Sequence, residues 1–284
     1  MRRLPQKILI SFVEKHKKEF GFKIHLPKEQ LISQILQKVP KEIVLQQLYA
    51  PYGWAGNVTI HLFKVTGMML NKEFSKNRLT DVLKNLESGR SLTNFPEPVD
   101  INLSDHEIRI RHEFLGEPIV YQDPETHELQ TVRPLMTLFS IIHLPSGFTE
   151  IRVRERVYAL NAAKLLKKYF KADYEELTFT RDHLGQWIDW ATTLRNARFK
   201  PMGPISTLYM GAKEWLDLRK VDLFKEWWNK GEPLEGVYIK FEVRSGEKVG
   251  FGVNAKMGKI MLRTFTSEEE VKFIIKEAQS ILGL

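Results

Sequence analysis

Arginine at alternate positions is the pattern in this sequence most able to do chemistry. Arg109 and Arg111 alternate with Ile108 and Ile110, and Arg152, Arg154 and Arg156 follow Ile151, Val153 and Glu155 in the same rhythm. On a β-strand, alternate residues share a face, so each apolar set points to a core and each arginine set points the other way. Guanidinium groups in a row repel one another unless an anion or solvent screens them, and their planar donor forks match phosphate oxygens. An apolar-backed, arginine-fronted sheet is one solution for gripping a phosphate backbone. The competing reading is a solvated or internally paired face, with Glu107, Glu150 and Glu155 as the neutralising acids.

Two further segments add positive charge. Lys164, Lys167, Lys168 and Lys171 follow the second arginine row, and Lys164, Lys168 and Lys171 fall on one helical face opposite Ala162, Leu165, Leu166 and Tyr169. A solvated helix face is the commoner meaning of such a run. Trp187, Trp190, Trp215, Trp227 and Trp228 crowd one region, and Arg195, Arg198 and Lys200 lie among them. Trp187 and Trp228 fit apolar helical stripes. Trp190 and Trp227 fall off those stripes, where packing within the protein competes with base stacking.

Catalytic signatures are missing. There is no cysteine, which removes thiolate catalysis and cysteine-bound zinc. The histidines show no metal-ligand spacing, and HExxH, P-loop, GxGxxG and GxSxG motifs do not occur. Glu107-Ile108-Arg109 and Glu242-Val243-Arg244 imitate the acid-x-lysine strand of a metal nuclease, but arginine keeps its proton where lysine can be tuned. Lys248 to Val253 falls short of the RNA-recognition signature, lacking the glycine directly after the lysine and leading into another strand; Gly250 and Gly252 there mark a bulge or a close backbone approach. Neither metal nor cofactor is expected.

The elements that must carry these residues predict an α+β protein. Residues 1–90 read as a mostly helical region: Pro5–Glu19 ending at Gly21, a second helix after Pro27, a third from Pro40 to Tyr49, a turn-rich loop to Asn57, a strand Val58–Val65 and a fourth helix Asn71–Leu86. Gly89–Val99, with Pro96 and Pro98, predicts a linker. Residues 100–284 then predict an antiparallel sheet with helices: strands around 108–111, 131–144 and 151–156, a helix Ala159–Phe170, two or three helices over 181–229, three strands over 237–264 and a helix Ser267–Leu282 with a Thr266…Glu269 capping box. Ile151–Arg154 with its following helix aligns without a gap on Ile260–Arg263 with its own, which suggests a duplicated β-hairpin–helix unit.

The chain's 284 residues carry a formal charge of +8, a balance that favours polyanionic partners. Ile43–Phe63 is long enough to span a bilayer but contains Gln46, Gln47, Pro51 and Gly53, so a membrane span is not expected. The absence of cysteine and of an export signal suits the cytoplasm. These features together predict non-catalytic nucleic-acid binding, DNA more than RNA. Arg109, Arg111, Arg152, Arg154, Arg156, the four lysines and Arg195, Arg198 and Lys200 would be the contacting residues. The rival expectation is a non-enzymatic assembly protein that uses the N-terminal helices and the tryptophan-rich segment to hold a protein partner.

Overall fold

A computed structural model describes residues 4–49, 51, 59–67, 77, 81, 94–123, 127–144, 146–202, 204–242, 248–263 and 266–284. The predicted Asn71–Leu86 helix apart from Asn77 and Asp81, most of the Tyr49–Asn57 loop and residues 89–93 of the expected linker lie outside these residues. Four short helices open the chain: α1 (Gln6–Lys15), α2 (Lys17–Phe20), α3 (Lys28–Lys38) and α4 (Lys41–Val44), the last running into a π-helical turn through Tyr49. Their apolar stripes, Leu9, Phe12 and Val13 with Leu31, Ile32, Ile35 and Leu48, close on one another as a separate small core. Gly21 ends α2 in the left-handed conformation with φ of 60°, as the sequence predicts.

The rest of the described chain builds one large antiparallel sheet. Its strands are β1 (Thr59–Gly67), β2 (Glu97–Leu103), β3 (Glu107–Leu115), β6 (Leu135–His143), β7 (Phe148–Arg152), β8 (Ala172–Glu176), β9 (Thr193–Phe199), β10 (Leu208–Gly211), β11 (Leu234–Glu242), β12 (Lys248–Asn254) and β13 (Lys259–Leu262). The order across it is β10-β9-β11-β12-β13-β1-β7-β6-β3-β2, with β8 alongside the far end of β1. A separate hairpin, β4 (Ile119–Gln122) with β5 (Leu129–Val132), projects between β3 and β6. Thus β1, from the mostly helical first ninety residues, lies in the middle of the sheet, and β2 begins inside the stretch expected to be a linker.

Two wings meet at β1 and are covered on opposite sides. In the first wing, β1, β7, β6 and β3 turn Phe63, Ile151, Ile142, Ile108 and Ile110 to helix α5 (Arg156–Phe170), which buries Ala159, Ala162, Leu166 and Phe170 against them. In the second wing, the opposite side is apolar. Ile60, Ile260, Val253, Phe251, Ile239 and Leu194 meet α6 (Arg181–Trp190) and α8 (Glu268–Leu282), with α7 (Asp222–Asn229) at the edge. Trp190 and Trp227 both pack into this second core, against Phe241 and Phe199 respectively, so neither is free for a ligand.

Two local expectations are corrected, and a third is not confirmed. The stretch 181–229 contains strands β9 and β10 among its helices, and β8 follows α5 directly. Their short apolar alternations, such as Leu194-Arg195-Asn196-Ala197, hide between stronger helical signals. The capping box of α8 forms one residue later than expected: the Ser267 hydroxyl accepts from the Glu270 N–H, and the Glu270 carboxylate accepts from the Ser267 N–H at 2.7 Å. The strand–helix units aligned at Ile151 and Ile260 are both present, but their helices lie on opposite sides of the sheet. This arrangement does not confirm a duplication of the unit.

Two histidines are buried in this arrangement. His112 bonds Pro96 O and Ser140 Oγ, each at 3.0 Å, while His61 is buried beside the backbone of Val153 and Arg154. Burial, with Lys259 adding to it at His61, lowers each imidazole to about 4. The unfolded rings take up protons near the ordinary value of roughly 6.5, so these groups favour the folded state above that pH and withdraw their support as it falls toward 4. We expect stability to drop on the order of a few kcal/mol over that interval. Urea titrations at pH 7 and pH 4.5 check it, and substitution of both by apolar residues flattens the profile. An unchanged midpoint at pH 4.5 in the unsubstituted protein would contradict it.

Candidate functional site

The first arginine row takes its place on the side of the first wing opposite α5. Arg109 and Arg111 lie on β3 with Glu107 and Glu113, and the register sets Arg111 beside Phe139 and Phe139 beside Arg152. Asp100 pairs with Arg111 from β2. The N-terminal turn of α8 lands here, and its Glu268 reaches both Arg152 at 2.6 Å and Arg109 at 3.5 Å. Arg109 also bonds Glu107 at 2.6 Å, and Arg111 lies 3.9 Å from Glu113. Three arginines thus share a face with Asp100, Glu107, Glu113, Glu150 and Glu268. That surface carries no positive excess to draw phosphate.

The second row does not form as an alternating face. Strand β7 stops at Arg152, the chain bends, and Glu155 stands at the N-terminal boundary of α5 without a side-chain cap, so Arg156 begins a helix. The Arg152 side chain is 1% exposed and bonded to Glu150 at 2.8 Å as well as to Glu268. Burial opposes both charges, but Arg152 and the His143 hydrogen bond at 2.7 Å outweigh it and hold the Glu150 carboxyl below its usual range, while the two acids raise Arg152. The expectation that Arg152 points to solvent is therefore corrected: it is an internal partner of acids. Arg156 makes a bidentate pair with Glu176 at 2.8 and 2.5 Å, and Arg154 is 88% exposed near Glu155. Lys164 and Lys168 stand exposed on α5, Lys167 reaches Asp173 at 2.5 Å, and Lys171 closes the helix with φ of 50°.

The open side of the second wing is different. Asn196 and Arg198 of β9, Tyr209 of β10, Tyr238 of β11 and Met261 of β13 turn away from α6 and α8, because their neighbours Ala197, Val237, Ile239 and Ile260 fill the core. With Asn254 and Arg263 they line an open depression of about 430 Å³. Its floor is glycine. A Cβ on Gly250 would collide with the Tyr238 hydroxyl, one on Gly252 would sit 2.9 Å from Met261 Cε, and one on Gly236 would sit 2.7 Å from Val253 O. The missing Cβ atoms are the room that Tyr238 and Met261 use to lie directly on β12, and both glycines there are buried beneath them. The glycine pair predicted to mark a close approach does so, in β12.

Charge on this side is in surplus. Arg198, Lys240, Lys248, Lys259 and Arg263 outnumber Glu235 and Glu242, and Arg198 remains 43% exposed while 3.1 Å from Glu235. Burial raises the Tyr238 hydroxyl above its ordinary value, against the pull of Arg263 and Arg195 nearby, so it stays a neutral donor. Arg195 itself is spent on backbone carbonyls of the 212–216 turn, and Lys200 stands exposed just beyond β9. Of the residues expected from sequence, the depression holds Arg198. Tyr209, Tyr238, Asn196 and Arg263 were not among them, although Val237-Tyr238-Ile239-Lys240-Phe241 alternates visibly and places Tyr238 and Lys240 opposite the apolar set.

Among the described residues, no group of three His, Asp or Glu side chains is placed to hold a metal ion, and no helix is long and apolar enough to cross a membrane. The fold defines an α+β protein on an eleven-stranded antiparallel sheet with an aromatic and cationic open side. No protein-family model matches the chain, and no curated protein matches it.

Proposed function

We propose that the protein binds nucleic acid, without acting on it chemically, through the open side of the second wing. The observation that carries this reading is the convergence of Arg198 and Arg263 with Tyr209 and Tyr238 around a glycine-floored depression. Guanidinium forks match phosphate oxygens, tyrosine rings stack on bases, and amide side chains such as Asn196 and Asn254 pair with base edges. The overall charge of +8 adds a long-range attraction to the same ligand.

Labelled DNA and RNA oligomers, followed by fluorescence anisotropy, test this. We expect binding at low salt that weakens steeply as salt is added, because each phosphate contact releases counterions. No binding at low salt would contradict the reading. One observation favours assembly with another protein instead: on the β4–β5 hairpin, Ile119, Val120, Leu129 and Val132 are all exposed. Self-association that disappears when these four are made polar, together with absent nucleic-acid binding, would support that second reading.

A further inference from the structure

We infer that the ligand of this open side is an unpaired strand, and that Trp215 is a preset stacking platform for a base beyond the depression. The inference rests on the reading of that side as a nucleic-acid surface. Trp215 is 81% exposed, the most solvated large aromatic side chain among the described residues, yet the turn that carries it is tightly held. Arg195 Nη1 donates to the carbonyls of Lys213 and Glu214 at 2.6 Å each and of Leu216 at 3.1 Å, and its Nη2 donates to that of Ala212 at 3.0 Å. These acceptors flank the tryptophan on both sides. Beyond them, Arg219 bonds Asp217 and reaches the carbonyls of Ile188 at 3.1 Å and Thr192 at 2.9 Å.

The platform adjoins the depression. Arg195 precedes Asn196 on β9, Asn196 pairs with Gly211 at the end of β10, and the turn leaves from there. Lys213 Nζ lies over one face of the indole, 5.4 Å from its centre, so a base would stack on the other face with a cation close enough to meet its phosphate. With the backbone of its turn already held, the indole gives up only side-chain rotation on binding. Bases inside a duplex stack on one another and show only their edges, whereas splayed bases can lie on protein rings. Tyr238 and Tyr209 in the depression and Trp215 on the turn that follows β10 offer such rings in three places.

The test compares a single-stranded oligonucleotide with a hairpin duplex of matching sequence, by anisotropy at low salt. The single strand is expected to bind more tightly. Trp215→Ala should weaken single-strand binding about fivefold or more while leaving duplex binding and the melting temperature unchanged, and Trp215→Phe should restore most of the loss. Duplex binding as tight as single-strand binding overturns the inference while sparing the function. A folded Trp215→Ala protein with unchanged single-strand affinity does the same. If neither nucleic acid binds, the functional reading falls and this inference with it.

Discussion

Changing Arg152 to glutamine is expected to cost about 3–5 kcal/mol of folding stability, because it removes one partner of a buried charge pair and strands the other. Arg152 ties the end of β7 to Glu150 on its own strand and to Glu268 in the first turn of α8, so it fastens the first wing to the helix that covers the second. Without it, Glu150 keeps only His143, and burial then disfavours its charge. Arg154 is two residues away and exposed, so Arg154→Gln should change stability by no more than about 0.5 kcal/mol. Urea unfolding of the two variants separates them. Equal, small losses would show that the buried network contributes little and that the assignment of Arg152 to it is mistaken.

That contrast shows what could and could not be read from the sequence. Periodicity places β3, β6, α5, β11, β12, β13 and α8, because each joins a regular apolar face to a clear turn or cap. The arginine rows are also legible as rows. Their partners are not: Glu268 meets Arg152 across 116 residues of chain, and only tertiary folding brings the start of α8 onto β7. The same limit hides the candidate site. Tyr209 and Tyr238 come from separate strands and Arg263 from just past the end of β13, and each is unremarkable alone. Their convergence depends on the strand order and on which side the helices choose. The exposed Trp215 looked like one of a crowded set, and only the Arg195 clamp on its turn sets it apart.

Arg198 and Arg263 distinguish the open side of the second wing from the merely charged surfaces of the protein. Both line the depression, and neither is part of the buried network. Replacing the pair with glutamine is expected to reduce single-strand affinity about tenfold or more at low salt, taking each charge-assisted phosphate contact at roughly 1–3 kcal/mol. The salt slope should flatten by about 1.4, from roughly 0.7 per phosphate contact on single strands. The fold should persist, since Arg198 is 43% exposed on β9 and Arg263 is exposed just past β13. Arg154→Gln with Lys164→Gln and Lys168→Gln, an exposed cationic set on the first wing, removes more charge and serves as the comparison. The deciding measurement is the salt dependence of single-strand binding for these two variants beside the unsubstituted protein. A lower, flatter dependence for the Arg198–Arg263 variant, with the comparison set shifted only slightly, is expected. The reverse order, or an unaltered Arg198–Arg263 variant, would contradict the placement of the binding surface on β9–β13.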